Sequence, residues 1–252
     1  MSEISSKAKI GKNVVIYPFV YIEDDVEIGD NCVIYPNVCI MNGTRIGNGN
    51  KIFQNTVLGA EPQDFNYKGD NSRLEIGDNN IIRENVVINR ATYSSGVTKI
   101  GNNNIIMEGV HISHDTKVGN GNVFGYGTKV AGDCDIHDNV IFASNVIINP
   151  EVRIGSVAMI QSGCRVSQDV PPYIVAKDNP IRYGGLDPEI LGAQGITDKV
   201  RKHIANSYRI FFNGGTSIDD ALLQIEEQVQ QDPEVVNLRL FIKDTKLGIV
   251  GR

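Results

Sequence analysis

IGKNVVIYPFVYIEDDVEIGDNCVIYPNVCI, residues 10–40, carries an isoleucine at every sixth position: Ile10, Ile16, Ile22, Ile28, Ile34 and Ile40. The step continues through Ile46, Ile52 and Leu58, resumes at Ile76, Ile82 and Ile88, and runs again from Ile100 to Val166. Of the 27 positions in this frame between 10 and 166, only Asp64, Asp70 and Ser94 are not large and apolar. An α-helix repeats every 3.6 residues and a flat strand every 2, so neither keeps a period of six. A hexapeptide repeat does, and it predicts a parallel β-helix. Three hexads then close one triangular coil of 18 residues, and successive coils stack at about the inter-strand spacing of 4.8 Å.

Working outward, the rhythm breaks twice. Residues 59–75 (GAEPQDFNYKGDNSRLE) are polar and turn-rich, and residues 89–99 (NRATYSSGVTK) hold a shorter break. The frame returns after each, so both read as loops thrown out of the solenoid, and loops on a rigid scaffold are favoured places for binding residues. The rhythm ends at Pro171-Pro172. From about Asp187 the spacing turns helical, with Ile196, Val200, Ile204, Tyr208 and Phe211 three or four apart. Gly214-Gly215 closes that helix, Thr216–Asp220 reads as a capping box, and helices are predicted over 219–230 and 234–245. The expected division is a solenoid over residues 1–186 and a small helical domain over 187–252.

The 252-residue chain is 41% hydrophobic and 21% charged, as soluble globular proteins are. Its net charge of −6, without a long basic run, argues against nucleic-acid binding. No segment has the apolar core of a signal peptide or 18 consecutive apolar residues, so a cytoplasmic location without stable membrane insertion is expected. Cys32, Cys134 and Cys164 each fall four residues after a frame position, where small buried side chains belong.

The segment EGVHISHDTKVG holds two of the four histidines. Ile112 is the inward residue, so His114 and Asp115 lie at the outward part of the coil, where a histidine supported by a carboxylate can act as a general base. Counting 18 residues on places Gly132 above His114 and Lys129 above His111. A glycine there would present its backbone N–H to a ligand held at the base, the geometry of an oxyanion hole. The competing reading is a metal site, with His137 as a third ligand to His111 and His114.

The hexads, the insertion PQDFNYKGDNSRLEIGDNNIIRENVVINRAT, the segment MEGVHISHDTKVGNGN, the stretch SQDVPPYIVA and the helical tail together resemble the UDP-N-acetylglucosamine O-acyltransferases, which open lipid A biosynthesis. The resemblance covers essentially the whole chain. It implies an all-β solenoid, a left-handed parallel β-helix with a small C-terminal α-helical domain, assembled as a homotrimer with active sites between subunits. The implied reaction moves an (R)-3-hydroxyacyl group from the phosphopantetheine of acyl carrier protein to the 3-hydroxyl of UDP-N-acetylglucosamine, with no metal and no other cofactor.

Carried over by motif, His114 is the general base, Asp115 orients it, and the Gly132 amide stabilises the oxyanion. His111 holds the sugar, and Gln63 and Asp64 bind the glucosamine and the hydroxyacyl group. Met159 and Ser162 fall in the region that measures the hydrocarbon chain. The chain departs from the family pattern at Asn66, where a lysine is usual and Lys68 stands nearby. It departs again at Asp133 and at Asn149-Pro150, in place of histidine and His-Gln, and at Ala193-Gln194, in place of paired arginines. Arg153, Arg165, Lys199, Arg201, Lys202 and Arg209 are expected to form a landing surface for the acidic carrier. Three rivals share the scaffold: a metal-dependent hydratase, a purely structural solenoid that would bind no UDP-sugar, and a related N-acyltransferase, against which the start of the repeats at Ile10 counts. An enzyme for a 3-amino acceptor is a further alternative.

Overall fold

The computed structural model describes residues 1–252. Its first two-thirds is a left-handed β-helix of three parallel sheets that the chain visits in turn. The first sheet has nine strands from Glu3–Ile4 to Arg165–Val166, and the second has eight from Lys9–Ile10 to Arg153–Ile154. The third has ten, beginning at Val15–Ile16 and ending with Val175–Lys177 and the antiparallel Arg182–Tyr183. Most strands are only two residues long, because each side of the triangle must end in a corner within six residues. From Ile22 onward the apolar frame residues fill the interior, and Ile34, Ile40, Ile52, Leu58 and Ile82 are wholly buried.

Corners need backbone in the left-handed region, which asparagine and glycine enter at little cost. Asn31, Asn79, Asn103 and Asn139 take it with φ of 56–58°, and Gly49 and Gly121 in the same corner with φ of 67° and 68°. Between the second and third sheets, Asn50, Asn80, Asn104 and Asn122 stack as a wholly buried ladder. Asn104 Nδ2 donates to Asn80 Oδ1 and to the Gly119 carbonyl, both at 3.0 Å, and Asn104 Oδ1 accepts the Asn122 N–H at 2.8 Å.

Ordinary coils advance by 18 residues, as in the pairing of Ile112 with Val130. At the breaks, Ile46 pairs with Ile76 and Ile76 with Ile100, steps of 30 and 24 residues. The two insertions are therefore 12 and six residues long, whole hexads, which is why the frame survives them. They are shorter than the breaks in the sequence. Gly59–Ala60 and Arg73–Glu75 extend the strands Val57–Ala60 and Arg73–Ile76, since backbone pairing continues where the side chains turn polar. Both loops leave from the corner between the first and second sheets, the corner that carries His114 one coil later.

Four helices follow: α1 (Pro188–Ala193), α2 (Asp198–Asn213), α3 (Ile218–Gln228) and α4 (Pro233–Lys243). The Ser217 hydroxyl caps α3 by accepting the Asp220 N–H at 3.1 Å. The short α1, which helical spacing alone does not single out, is set by Asp187 as N-cap and Pro188 in its first turn. Tyr208 of α2, wholly buried, donates its hydroxyl to the Pro172 carbonyl at 2.6 Å and seats the helices on the last coils. No helix is long and apolar enough to cross a membrane.

The residue before each frame residue points outward and gives each sheet its character. Along the second sheet it is charged at every coil: Lys9, Glu27, Arg45, Glu75, Lys99, Lys117, Asp135 and Arg153. Along the third it is Val15, Val33, Lys51, Ile81, Ile105, Val123, Ile141 and Met159, apolar at all but one.

Candidate active site

His114 stands two residues after the inward Ile112, at the corner between the first and second sheets, and is 9% exposed. Its Nδ1 lies 3.0 Å from Asp115 Oδ2. A carboxylate only accepts, so Nδ1 carries the hydrogen of this bond. Asp115 sits in the left-handed region at φ 58°, which swings its carboxylate back toward the ring. It is fixed further by the Thr92 N–H, which donates to the same Oδ2 at 3.0 Å, and by its own N–H on Thr98 Oγ1 at 2.9 Å. On the other side of the imidazole, Asp64 Oδ2 reaches to 3.5 Å from Nε2. One carboxylate therefore stands at each ring nitrogen.

Gly132 lies on the next coil directly over the ring. A Cβ at this position would meet His114 Cε1 at 2.4 Å and Nε2 at 2.7 Å, so only glycine fits. The Gly132 N–H has no acceptor within the chain. Asp133, beside it, faces Asp115, Glu151 and Asp64; partial burial, more than these like charges, raises its carboxyl above the ordinary range. His111 pairs in register with Lys129 and has its value lowered, chiefly by burial and then by the Lys129 charge. Both line a groove of about 310 Å³ with Ser113, Asn149, Pro150 and Arg165, and Arg165 Nε donates to Asn149 Oδ1 at 3.2 Å. Larger hollows, of about 450–480 Å³, lie over the first coils and over the charged sheet, away from this chemistry.

The loop bearing Asp64 is folded on itself. Asp64 Oδ1 accepts the Asn66 N–H at 2.7 Å, and Lys68 Nζ turns back to the Phe65 carbonyl at 2.9 Å. Gln63 and Phe65 project outward, Phe65 fully exposed. Met159 points outward from the third sheet, the face opposite the corner that holds His114. Ser162 is exposed at the corner that follows Met159. Within one chain neither can meet the imidazole.

The six basic residues expected together are separated. Arg153 packs under α4, its guanidinium carbon 4.2 Å from the Phe241 ring centre and its charge 3.7 Å from the buried Asp169. Arg201 is spent on the Pro188 carbonyl at 2.8 Å and on Asp198 at 2.6 Å. Arg165 belongs to the His111 groove. Lys199, Lys202 and Arg209 remain on one exposed face of α2. His137 lies edge-on to Phe241 beside Asp135, apart from His111 and His114, and no group of three or more metal-binding side chains is gathered anywhere in the chain.

Sequence reading missed Arg90, Tyr67 and Thr92. Arg90 follows Ile88 by two, as His114 follows Ile112, and Ile88 pairs with Ile112. It thus occupies the coil position under His114, but 24 residues back rather than 18, so a plain coil count passes it by.

A family model for the second domain of UDP N-acetylglucosamine O-acyltransferase matches residues 169–250, and the bacterial transferase hexapeptide model matches residues 7–42, 25–60 and 98–132. Among solved structures, the chain is 48% identical to a UDP-N-acetylglucosamine acyltransferase from Bacteroides fragilis 9343, covering 98% of this chain and 97% of that one, with a TM-score of 0.97. The Francisella novicida UDP-N-acetylglucosamine acyltransferase is 36% identical over 98% of this chain and 91% of that one, TM-score 0.95. The Arabidopsis UDP-N-acetylglucosamine acyltransferase is 30% identical over 98% of each, TM-score 0.89. With relatives this similar along nearly the full length of both chains, the protein belongs to the UDP-N-acetylglucosamine acyltransferase family and is an acyltransferase.

Proposed function

We propose that this protein transfers an (R)-3-hydroxyacyl chain from acyl carrier protein to the 3-hydroxyl of UDP-N-acetylglucosamine, the first step of lipid A biosynthesis, in the cytoplasm. The observation that carries the reading is His114 between Asp115 and Asp64, roofed by Gly132. Nε2 takes the proton of the sugar 3-hydroxyl as the oxygen attacks the thioester carbonyl. The carbonyl oxygen becomes an oxyanion, and the Gly132 N–H donates to it. As the tetrahedral intermediate collapses, the carbon–sulfur bond breaks and the imidazolium returns the proton to the departing thiolate of phosphopantetheine. The Nδ1 bond to Asp115 holds the ring in place with Nε2 toward the hydroxyl throughout. No acyl-enzyme is needed.

Asp64 Oδ2 and the Nε2 lone pair are both acceptors, and a donor on the sugar satisfies them. Gln63 shares the loop and is assigned to the hydroxyacyl group. His111, kept neutral by burial, supplies a hydrogen bond to the sugar, and Asn149, Asp133, Asn66 and Lys68 complete the surroundings of the nucleotide sugar. Met159 and Ser162 are assigned to the acyl chain, and they reach it only from a neighbouring subunit. The apolar outer face of the third sheet, with Val15 49% and Ile105 38% exposed, supports a trimer in which that face meets the next chain. Lys199, Lys202 and Arg209 are the basic face offered to the acidic carrier.

The test is turnover of UDP-N-acetylglucosamine with carriers loaded with 3-hydroxyacyl chains of several lengths, read by mass spectrometry, for the wild type and His114→Ala. The wild type should yield a 3-O-acylated sugar nucleotide, and the variant should lose about 10²- to 10⁴-fold in rate, the usual worth of a general base, while remaining folded. Near-full activity of the variant would remove His114 from the mechanism. No acylated sugar with any chain would sink the assignment of substrates.

A further inference from the structure

The two excursion loops are usually separable features of a solenoid, since each coil contacts only its neighbours. Here they are joined by one short segment. Arg90, with a side chain only 13% exposed, donates from one guanidinium nitrogen to the Gly59 carbonyl at 3.1 Å. The other nitrogen reaches the Tyr67 hydroxyl at 2.5 Å and Glu61 Oε1 at 3.3 Å. Its guanidinium carbon lies 5.6 Å from the Tyr67 ring centre. Asn89 Nδ2 adds a bond to the Glu61 carbonyl at 2.7 Å. Gly59 is where the first loop departs, Glu61 is its first residue, and Tyr67 lies three past Asp64. Two residues after Arg90, the Thr92 N–H donates to the Asp115 oxygen that holds His114. The segment from Asn89 to Thr92 thus touches both carboxylates' supports, the loop that carries Asp64 and Asp115 itself.

We infer that Arg90 is a positioning residue for the acyl transfer: it clamps the first loop through Gly59, Glu61 and Tyr67 so that Asp64 stands at His114 Nε2, while Thr92 on the same turn fixes Asp115 at Nδ1. This rests on the acyl-transfer reading above, because it acts through a residue assigned to the sugar. A planar guanidinium serves three partners in fixed directions, which a lysine ammonium does not. Without it, the loop is held to the second excursion only near its two ends, by Asn89 on the Glu61 carbonyl and by Ser72 on the Ala91 carbonyl, while around Asp64 its bonds are internal. A displacement of about 1 Å at a positioned group costs on the order of 10²-fold.

The experiment is a double-mutant cycle of Arg90→Gln with Asp64→Asn, joined by Tyr67→Phe and Arg90→Lys, with kcat/KM for UDP-N-acetylglucosamine measured at saturating acyl donor. Arg90→Gln should lose about 10- to 100-fold. Tyr67→Phe and Arg90→Lys should lose less. Arg90→Gln should add little in the Asp64→Asn background, since the group it positions is already gone. Wild-type kcat/KM in Arg90→Gln, or full additivity with Asp64→Asn, would overturn the inference. Hydrogen exchange on the unliganded proteins decides the clamp independently of turnover. Faster exchange confined to residues 61–72 in Arg90→Gln supports it, and unchanged exchange there refutes it, even if the wild type proves inactive on this sugar.

Discussion

At the scale of the residue, the site is made by close approach. Gly132 is a glycine because an imidazole lies where its Cβ would be, not because a turn demands a special φ. Gly132→Ala should therefore push His114 away from both carboxylates, lower kcat by about 10²-fold and cost about 1–3 kcal/mol of stability through overpacking. A variant with wild-type kcat would show that the ring has room to move. His111 makes a second case. Burial, ahead of the Lys129 charge, holds its folded value below the free value of 6.5. The unfolded chain then takes up this proton first as the medium is acidified, so the contribution is an instability that sets in as pH falls below about 6.5. His111→Gln should flatten the decline in melting temperature between pH 7 and pH 5. An unchanged decline would assign it to other groups.

At the scale of the element, corners do as much as strands. Two-residue strands offer few hydrogen bonds each, and the ladder of Asn50, Asn80, Asn104 and Asn122 supplies more where the chain turns. Asn104→Ala leaves the Asn122 N–H and the Gly119 carbonyl buried without partners. At roughly 1–3 kcal/mol for each orphaned group, the loss should be about 2–6 kcal/mol, measured by denaturant unfolding. A loss under about 0.5 kcal/mol would mean that the corner relaxes around the gap. Corners are also where sequence reading is strong and weak at once. Asparagines and glycines mark most of the turns, though Phe19, Asp115, Asp133, Glu151 and Val157 take the same backbone without that signal. The helix α1 passed unnoticed because six residues hold less than two turns of spacing, and only its Asp-Pro start signals it.

At the scale of the whole molecule, the solenoid tolerates excursions that are multiples of six. Deleting residues 61–72 would place Ile76 six positions after Leu58 and restore an 18-residue coil. We expect that protein to fold with a melting temperature within a few degrees of wild type and to lose acylation of the sugar, because Gln63 and Asp64 leave with the loop. Deleting 11 residues instead should disrupt the stack, since one residue out of register turns the inward side chains outward. Calorimetry on the two deletions separates the outcomes, and a stable 11-residue deletion would contradict the frame.

The coil, the positions of its corners and its inward residues were determined by the sequence alone, because in a stacked solenoid a residue's surroundings follow from its place in the hexad. The pairing of His114 with Asp115 and the placement of Gly132 over it were legible for the same reason, lying one residue and one plain coil away. The meeting of Asp64, Arg90 and Thr92 at that corner was decided only by the tertiary structure. Insertions of 12 and six residues change the count between coils, and the reach of a folded-back loop depends on hydrogen bonds that no periodicity encodes. The separation of Arg153 and Arg201 from the basic face of α2 was decided there too, since a charge in sequence becomes a surface only after the packing of neighbouring helices has taken its share.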